Sequence, residues 1–76
     1  MLDSSVEKIT KDYTLRGLLY YNMKKFNLSE AYYKKAIQYR PKMALSYLNL
    51  GALFEKTERT DKAIEVFFLL AFIIKT

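Results

Sequence analysis

Apolar side chains recur along this chain with a helical spacing, in four stretches separated by short polar segments. From Val6 to Met23 they follow a period close to 3.6 residues, which is typical of an amphipathic helix. Ser4 followed by Glu7 resembles a capping box, in which a serine oxygen and a glutamate side chain satisfy early amides. We therefore predict a first helix over about residues 5–24.

The next two stretches predict a second and a third helix. Asn27 followed by Glu30 offers an N-cap pair for the second helix. This helix is expected to end before Pro41, because proline disfavours helical backbone in the residue that precedes it. The third helix is predicted over about residues 42–57.

The last apolar stretch predicts a fourth helix that runs to about Lys75. Thr60 or Asp61 is available to cap its start, after a short polar connection. Four helices joined by short loops pack antiparallel with their neighbours in sequence. The pattern therefore predicts an all-α protein.

The same side-chain pattern occurs twice at a fixed period of 34 residues. Without any gap, this shift aligns Tyr13 with Tyr47, Gly17 with Gly51, Tyr20 with Phe54, Ser29 with Ala63 and Tyr33 with Phe67. Such a period indicates one helix-turn-helix unit used twice. Glycine costs about 1 kcal/mol in a helix interior relative to alanine, so its use at equivalent positions predicts close contact between the helices of each unit.

The spacing of these residues resembles the tetratricopeptide repeat. The resemblance implies a single domain over 1–76, with repeats at about 10–43 and 44–76 and with residues 1–9 extending the first helix. It also implies a four-helix, antiparallel, right-handed solenoid segment.

Three residues depart from the family pattern: Arg16 replaces a leucine, Leu70 a small residue and Lys75 a proline. We expect an i,i+4 pair with Asp12 to accommodate Arg16.

The resemblance further implies a concave groove lined by the first helix of each repeat, where family members commonly hold an extended peptide or a partner helix. Mapped onto this chain, the groove consists of Lys11, Thr14, Leu18, Tyr21, Asn22, Leu45, Leu48, Asn49 and Ala52, followed by Glu55 and Lys56. Its apolar floor suits an amphipathic helix or a hydrophobic peptide. An adjacent part of the same chain, or a second copy, is the alternative occupant.

Two groove positions distinguish this chain from chaperone-binding family members. Thr14 and Leu18 stand where those members carry a lysine and an asparagine that clamp a C-terminal carboxylate. We therefore expect no such clamp. Asn49 matches the asparagine that often bonds the backbone of a bound peptide.

The fourth helix is apolar where its counterpart one repeat earlier is polar. The exchanged residues form a candidate association surface, consisting of Val66, Phe68, Leu69, Phe72 and Ile73 in place of Tyr32, Lys34, Lys35, Gln38 and Tyr39. A helix that is hydrophobic all round is normally buried. Three explanations compete, in this order: a homo-oligomer, a fragment of a longer repeat array, and docking on a partner or a membrane surface.

The charge distribution leaves a second function open. The net charge is +5, and residues 1–42 hold nine basic and four acidic residues. Six tyrosines lie within residues 13–39, beside four lysines, Lys24, Lys25, Lys34 and Lys35. Stacking and phosphate attraction make RNA binding the alternative function. The repeat pattern assigns half of these rings to packing and leaves free Tyr21, Tyr32 and Tyr39.

Composition excludes most catalytic chemistry. The chain has no cysteine and no histidine, so it lacks thiolate and imidazole ligands and the usual nucleophile–base pairs. We predict no catalytic residue, cofactor or metal. No secretory signal is evident, and the longest apolar run, 66–74, is short of the roughly 20 residues that span a bilayer. The sequence therefore predicts a cytoplasmic protein, or an excised domain, that acts as a protein-interaction or assembly module, with nucleic acid and membranes not expected as partners.

Overall fold

The computed structural model describes residues 4–75, which form four α-helices and no strand. In chain order these are α1 (Ser4–Asn22), α2 (Phe26–Tyr39), α3 (Ala44–Lys56) and α4 (Thr60–Lys75). The predicted all-α class is confirmed. The predicted ends of α1 and α3 each lie within two residues of the observed ends. Residues 1–3, part of the expected N-terminal extension, lie outside the described residues.

The helices pack as two hairpins. Helix α1 packs against α2, α3 against α4, and α2 joins the hairpins by packing against α3. The buried cluster that this arrangement creates consists of Tyr33, Leu50, Leu53, Phe54, Ala63 and Val66. Since both hairpins contribute to it, the two units share one core.

Both glycines lie under an aromatic ring of the following helix. A Cβ atom on Gly17 would stand 2.5 Å from ring carbons of Tyr33, and one on Gly51 would clash in the same way with Phe67. The Ser29 hydroxyl also donates a hydrogen bond to the Gly17 carbonyl oxygen, at 2.7 Å. The predicted close contact within each hairpin is therefore confirmed.

Two departures from the repeat pattern are accommodated. Arg16 pairs with Asp12 at 3.2 Å, as predicted, and its guanidinium lies 5.9 Å from the centre of the Tyr32 ring. A hydrogen bond to Tyr32, together with the Asp12 carboxylate, raises the pKa of Arg16 above its ordinary value. Leu70 is half-buried, and α4 packs against α3 despite this larger side chain.

An ion pair links the two repeats. Arg59, in the turn before α4, donates to the Glu30 carboxylate on α2 at 2.5 Å, and Lys34 bonds the same carboxylate at 2.7 Å. Burial alone raises the pKa of Glu30, but these two cations outweigh it and lower the pKa below its ordinary value. The carboxylate therefore stays ionised where the hairpins meet.

The predicted N-caps of α2 and α4 are wrong. Helix α2 begins at Phe26 after Lys25, which makes no side-chain cap, so Asn27 lies inside the helix. At α4, the Arg59 carbonyl accepts the first intrahelical bond, from the Ala63 amide at 3.0 Å. Thr60 therefore lies one residue past the cap. The preceding turns, and not a capping side chain, determine where both helices start.

Those turns have the same Schellman geometry in both hairpins. After α1, the amides of Lys24 and Lys25 donate back to α1 carbonyls at 3.0 and 2.8 Å. The same two bonds form 34 residues later from Glu58 and Arg59, at 3.1 and 2.7 Å. Lys24 and Glu58 take left-handed backbone, with φ of 61° and 60°. Glycine is the usual residue at this position.

We expect Lys24→Gly to raise the free energy of unfolding by about 0.5–1 kcal/mol. A left-handed residue with a Cβ atom costs about 1–2 kcal/mol, and the greater freedom of glycine in the unfolded chain offsets part of that gain. Urea unfolding followed by circular dichroism measures the change. Lys25→Gly is the control, because Lys25 has a φ of −92° and should lose stability. Equal losses in both variants would contradict the turn geometry.

Candidate partner-binding surfaces

An apolar cleft lies beside α1, where the connection from α2 leads into α3. It has a volume of about 410 Å³ and is lined by Glu7, Thr10, Lys11, Thr14, Leu15, Leu18, Arg40, Met43 and Leu45. The lining contains four of the predicted groove residues, which are Lys11, Thr14, Leu18 and Leu45. The structure therefore brings together the N-terminal part of the predicted groove.

The remaining predicted groove residues lie outside this lining. Leu48 and Ala52 are exposed on α3, and Asn22 is exposed at the end of α1. Tyr21 packs against the core, and its ring meets Phe26 edge-on with centroids 5.8 Å apart. Tyr21 therefore belongs to the packing of the hairpins.

Two polar residues of the predicted groove are buried or half-buried. The Thr14 hydroxyl donates to the Thr10 carbonyl oxygen at 2.9 Å, so its proton is used within α1. On α3, the buried Nδ2 of Asn49 has no hydrogen-bond acceptor among the described residues, and the same holds for the hydroxyl of Ser46. An unpaired buried polar group costs about 1–3 kcal/mol. Asn49, a predicted groove residue, therefore has a buried donor that is unused among the described residues.

Five lining residues were not predicted from the sequence, namely Glu7, Thr10, Leu15, Arg40 and Met43. Glu7 lies one helical turn before Lys11, so extending the period of α1 past the start of the repeat at residue 10 would have found it. Arg40 and Met43 lie in the connection between α2 and α3. No helical period applies there, and the sequence carries no signal for them.

The outer face of α4 exposes large apolar side chains. We define this face by Phe68, Leu69 and Phe72, whose exposed fractions are 73%, 51% and 68%. Ile73, also predicted for the association surface, is half-buried. Val66 was predicted there too, and this is wrong, because Val66 is only 7% exposed and belongs to the core cluster.

The tyrosines expected to be free are engaged with other rings. The Tyr13 ring lies 6.0 Å from Tyr32 and 5.5 Å from Tyr39, measured between centroids. The Lys35 ammonium stands 5.6 Å from the centre of the Tyr13 ring and 5.3 Å from that of Tyr32. With the edge-on contact of Tyr21, all three candidate stacking residues have ring partners. The prediction that they are free is wrong for Tyr21 and Tyr32, which are half-buried, whereas Tyr39 remains 46% exposed.

Within residues 4–75, no helix has the length and apolar character needed to cross a membrane. The same residues contain no group of three or more carboxylates that could hold a metal ion.

Two stacked helical hairpins, each with a glycine under an aromatic ring, define a helical repeat protein. A family model described as the tetratricopeptide repeat matches residues 13–43 and 44–67. The two matches adjoin and cover more than half of the chain, so the chain belongs to the tetratricopeptide-repeat family. Repeats of this family are generally protein–protein interaction modules. Comparison with curated proteins and with solved structures finds no match.

Proposed function

We propose that this chain is an assembly module with two separate surfaces. The cleft beside α1 holds a peptide or a partner helix, and the outer face of α4 self-associates or docks on a partner. Residues 1–76 act as one domain of two repeats, without catalytic activity and in the cytoplasm. The observation that carries the proposal is the apolar cleft, which combines side chains from α1, from α3 and from the connection between α2 and α3.

The chemistry of the cleft favours an amphipathic helix as the ligand. Leu15, Leu18 and Leu45 supply apolar surface, and the exposed fractions of these leucines are 55%, 37% and 51%. Burial of one such side chain contributes roughly 1.5–3 kcal/mol. Lys11 and Arg40 add positive charge at the cleft, against the single carboxylate of Glu7. A ligand helix with one apolar face and acidic residues at its edges complements this arrangement.

Asn49 is the proposed peptide contact along the rest of the groove. Its Nδ2 atom has no acceptor among the described residues but is buried, so the side chain must rotate outward before a carbonyl oxygen of a bound peptide can accept from it. The family resemblance points to the same role. The proposal therefore retains Leu48, Asn49 and Ala52 as an extension of the cleft along α3.

RNA binding is not part of the proposal. Tyr21 and Tyr32 are half-buried against other rings, and Lys35 is held over the Tyr13 and Tyr32 rings. What remains is one exposed candidate, Tyr39, and the positive net charge of +5, which attracts any polyanion. Binding of single-stranded RNA that keeps a sequence preference at moderate salt would revive this alternative.

We expect Leu18→Lys to weaken capture of an amphipathic probe peptide by about tenfold or more, because it places a charge in the apolar floor. The probe is a fluorescently labelled helix of leucine, alanine and glutamate, measured by anisotropy. Leu48→Glu, outside the cleft lining, should weaken binding less.

Leu28→Lys is the matched control, since Leu28 is a leucine 44% exposed on α2 and away from the cleft. All of these variants should keep the helicity of the parent by circular dichroism. Equal affinity for the probe in the Leu18 and Leu28 variants would show that the cleft is not the binding site.

A further inference from the structure

The first repeat shows what a following repeat covers. The counterparts of the outer face one repeat earlier are Lys34, Lys35 and Gln38. Helix α3 packs against α2, yet all three of these residues remain exposed. A third repeat, stacked on α4 in the same geometry, would therefore leave the outer face of α4 exposed.

A third repeat would cover a different surface of α4. Ile64 and Ile74 are 49% and 69% exposed, and their counterparts in the first repeat, Glu30 and Arg40, are half-buried. Glu30 also bonds Arg59 of the second repeat. The surface of α4 on which a third repeat would stack thus contains Ile64 and Ile74. The outer face needs another occupant.

The exposed side chains along α4 are arranged by charge. With about 100° of rotation per residue, one stripe about 80° wide holds five exposed residues. In order, these are Asp61, Glu65, Phe68, Phe72 and Lys75. Two carboxylates thus precede the phenylalanines and an ammonium group follows them. The carboxylates also disfavour an anionic membrane as the occupant.

We propose that the outer face of α4 pairs with the outer face of a second copy, with the two helices antiparallel and a two-fold axis near Leu70. This inference rests on the proposed function, because it specifies the self-association. In this arrangement Phe68 of one copy faces Phe72 of the other, and Glu65 faces Lys75. The same two-fold axis produces both pairs, Phe68 with Phe72 and Glu65 with Lys75, as an isologous interface requires.

A parallel arrangement fits the same stripe badly. It would set Glu65 against Glu65 and Lys75 against Lys75, and like charges at short range repel. The antiparallel arrangement also opposes the two helix dipoles, with each N-terminus beside the C-terminus of the other helix. Charge therefore selects one orientation.

The size of the face indicates a dissociable dimer. An aromatic side chain buries about 150–250 Å² when fully covered, and the two phenylalanines are exposed over about two thirds of that area. With Leu69 and the stems of the charged residues, the paired faces remove roughly 1,000 Å² from solvent. This area lies at the lower limit for specific interfaces. We expect dissociation at micromolar concentrations.

Charge reversal tests the orientation. Molar mass is measured by sedimentation equilibrium at low salt over a concentration series, for the parent, Glu65→Lys, Lys75→Glu and the double variant. Each single variant should raise the dimer dissociation constant by about tenfold, because attraction becomes repulsion at two symmetry-related positions. The double variant should return to the value of the parent. Lys24→Glu changes the net charge by the same amount as Lys75→Glu but lies in the turn between α1 and α2, so it should leave dimerisation unchanged.

The outcomes separate this inference from the proposed function. If the parent forms dimers but the single variants dimerise equally well, or the double variant is not restored, the antiparallel pairing is wrong and self-association stands. A parent that stays monomeric at the highest concentration overturns both the pairing and self-association, whereas the cleft is tested separately by the probe peptide. A monomer that floats with vesicles of phosphatidylserine and phosphatidylcholine assigns the outer face to a lipid surface and also overturns the pairing.

Discussion

Gly17→Leu is expected to unfold the protein or to loosen its first hairpin severely. A single Cβ atom at this position would already stand 2.5 Å from ring carbons of Tyr33, and leucine would add three more carbon atoms in the same space. Overpacking typically costs about 1–3 kcal/mol, a large share of the stability of a small domain. Thermal unfolding by circular dichroism measures the loss, and Gly51→Leu should behave alike because of Phe67.

Ala31→Leu is the control for bulk, since Ala31 is exposed on α2. It should melt close to the parent. A second check combines Gly17→Ala with Tyr33→Leu, because a smaller side chain at position 33 should recover part of the loss caused by Gly17→Ala alone. If Gly17→Leu and Gly51→Leu melt like the parent, the contacts between the aromatic rings and the glycines do not determine the stability of the hairpins.

The triple variant Phe68→Lys, Leu69→Lys and Phe72→Gln is expected to be monomeric, more soluble and still helical. These changes restore the residues of the first repeat, which α2 carries on a stable helix. The three side chains are 51–73% exposed, so their burial in a dimer contributes roughly 3–6 kcal/mol before the entropic cost of association. Size-exclusion elution at several loading concentrations measures the change.

The matched control makes the same types of substitution at other exposed apolar residues: Leu19→Lys, Leu28→Lys and Met23→Gln, which are 57%, 44% and 50% exposed. This control should gain a similar positive charge and keep the elution behaviour of the parent. Thermal stability of the outer-face variant should fall only if folding and assembly are linked. Equal elution of both triple variants would locate the association surface elsewhere.

The helical period and the 34-residue repeat predicted the helices and their main contact. Gly17 and Tyr33 were recognisable because glycine inside a helix has a cost that a close contact explains. Capping side chains were less informative. Asn27 is a good N-cap residue, but the left-handed backbone at Lys24 closes the turn two residues earlier and starts α2 at Phe26.

Position-by-position comparison of the repeats misplaced Val66. Its counterpart, Tyr32, was assumed to face solvent, whereas its ring stacks on Tyr20 with centroids 5.6 Å apart. Both positions therefore face the interior of their hairpins. The helical phase would have placed Val66 correctly. Val66 lies three residues after Ala63 and therefore shares the packed face to which Ala63 was already assigned.

The cleft residues that were predicted from the sequence all lie on helices. Lys11 and Leu18 followed from the family resemblance, which assigns groove positions along α1. Arg40 and Met43 line the cleft because the connection between α2 and α3 borders it, and the path of that connection depends on how the helices pack. Residue spacing does not predict this path.

Sedimentation equilibrium of the unmodified chain across a concentration series tests the central claim most directly. An assembly module that pairs through the outer face of α4 should have a molar mass that rises from 9.0 kDa toward twice that value as the concentration increases. A mass that stays at one copy up to the highest concentration would contradict self-association through α4.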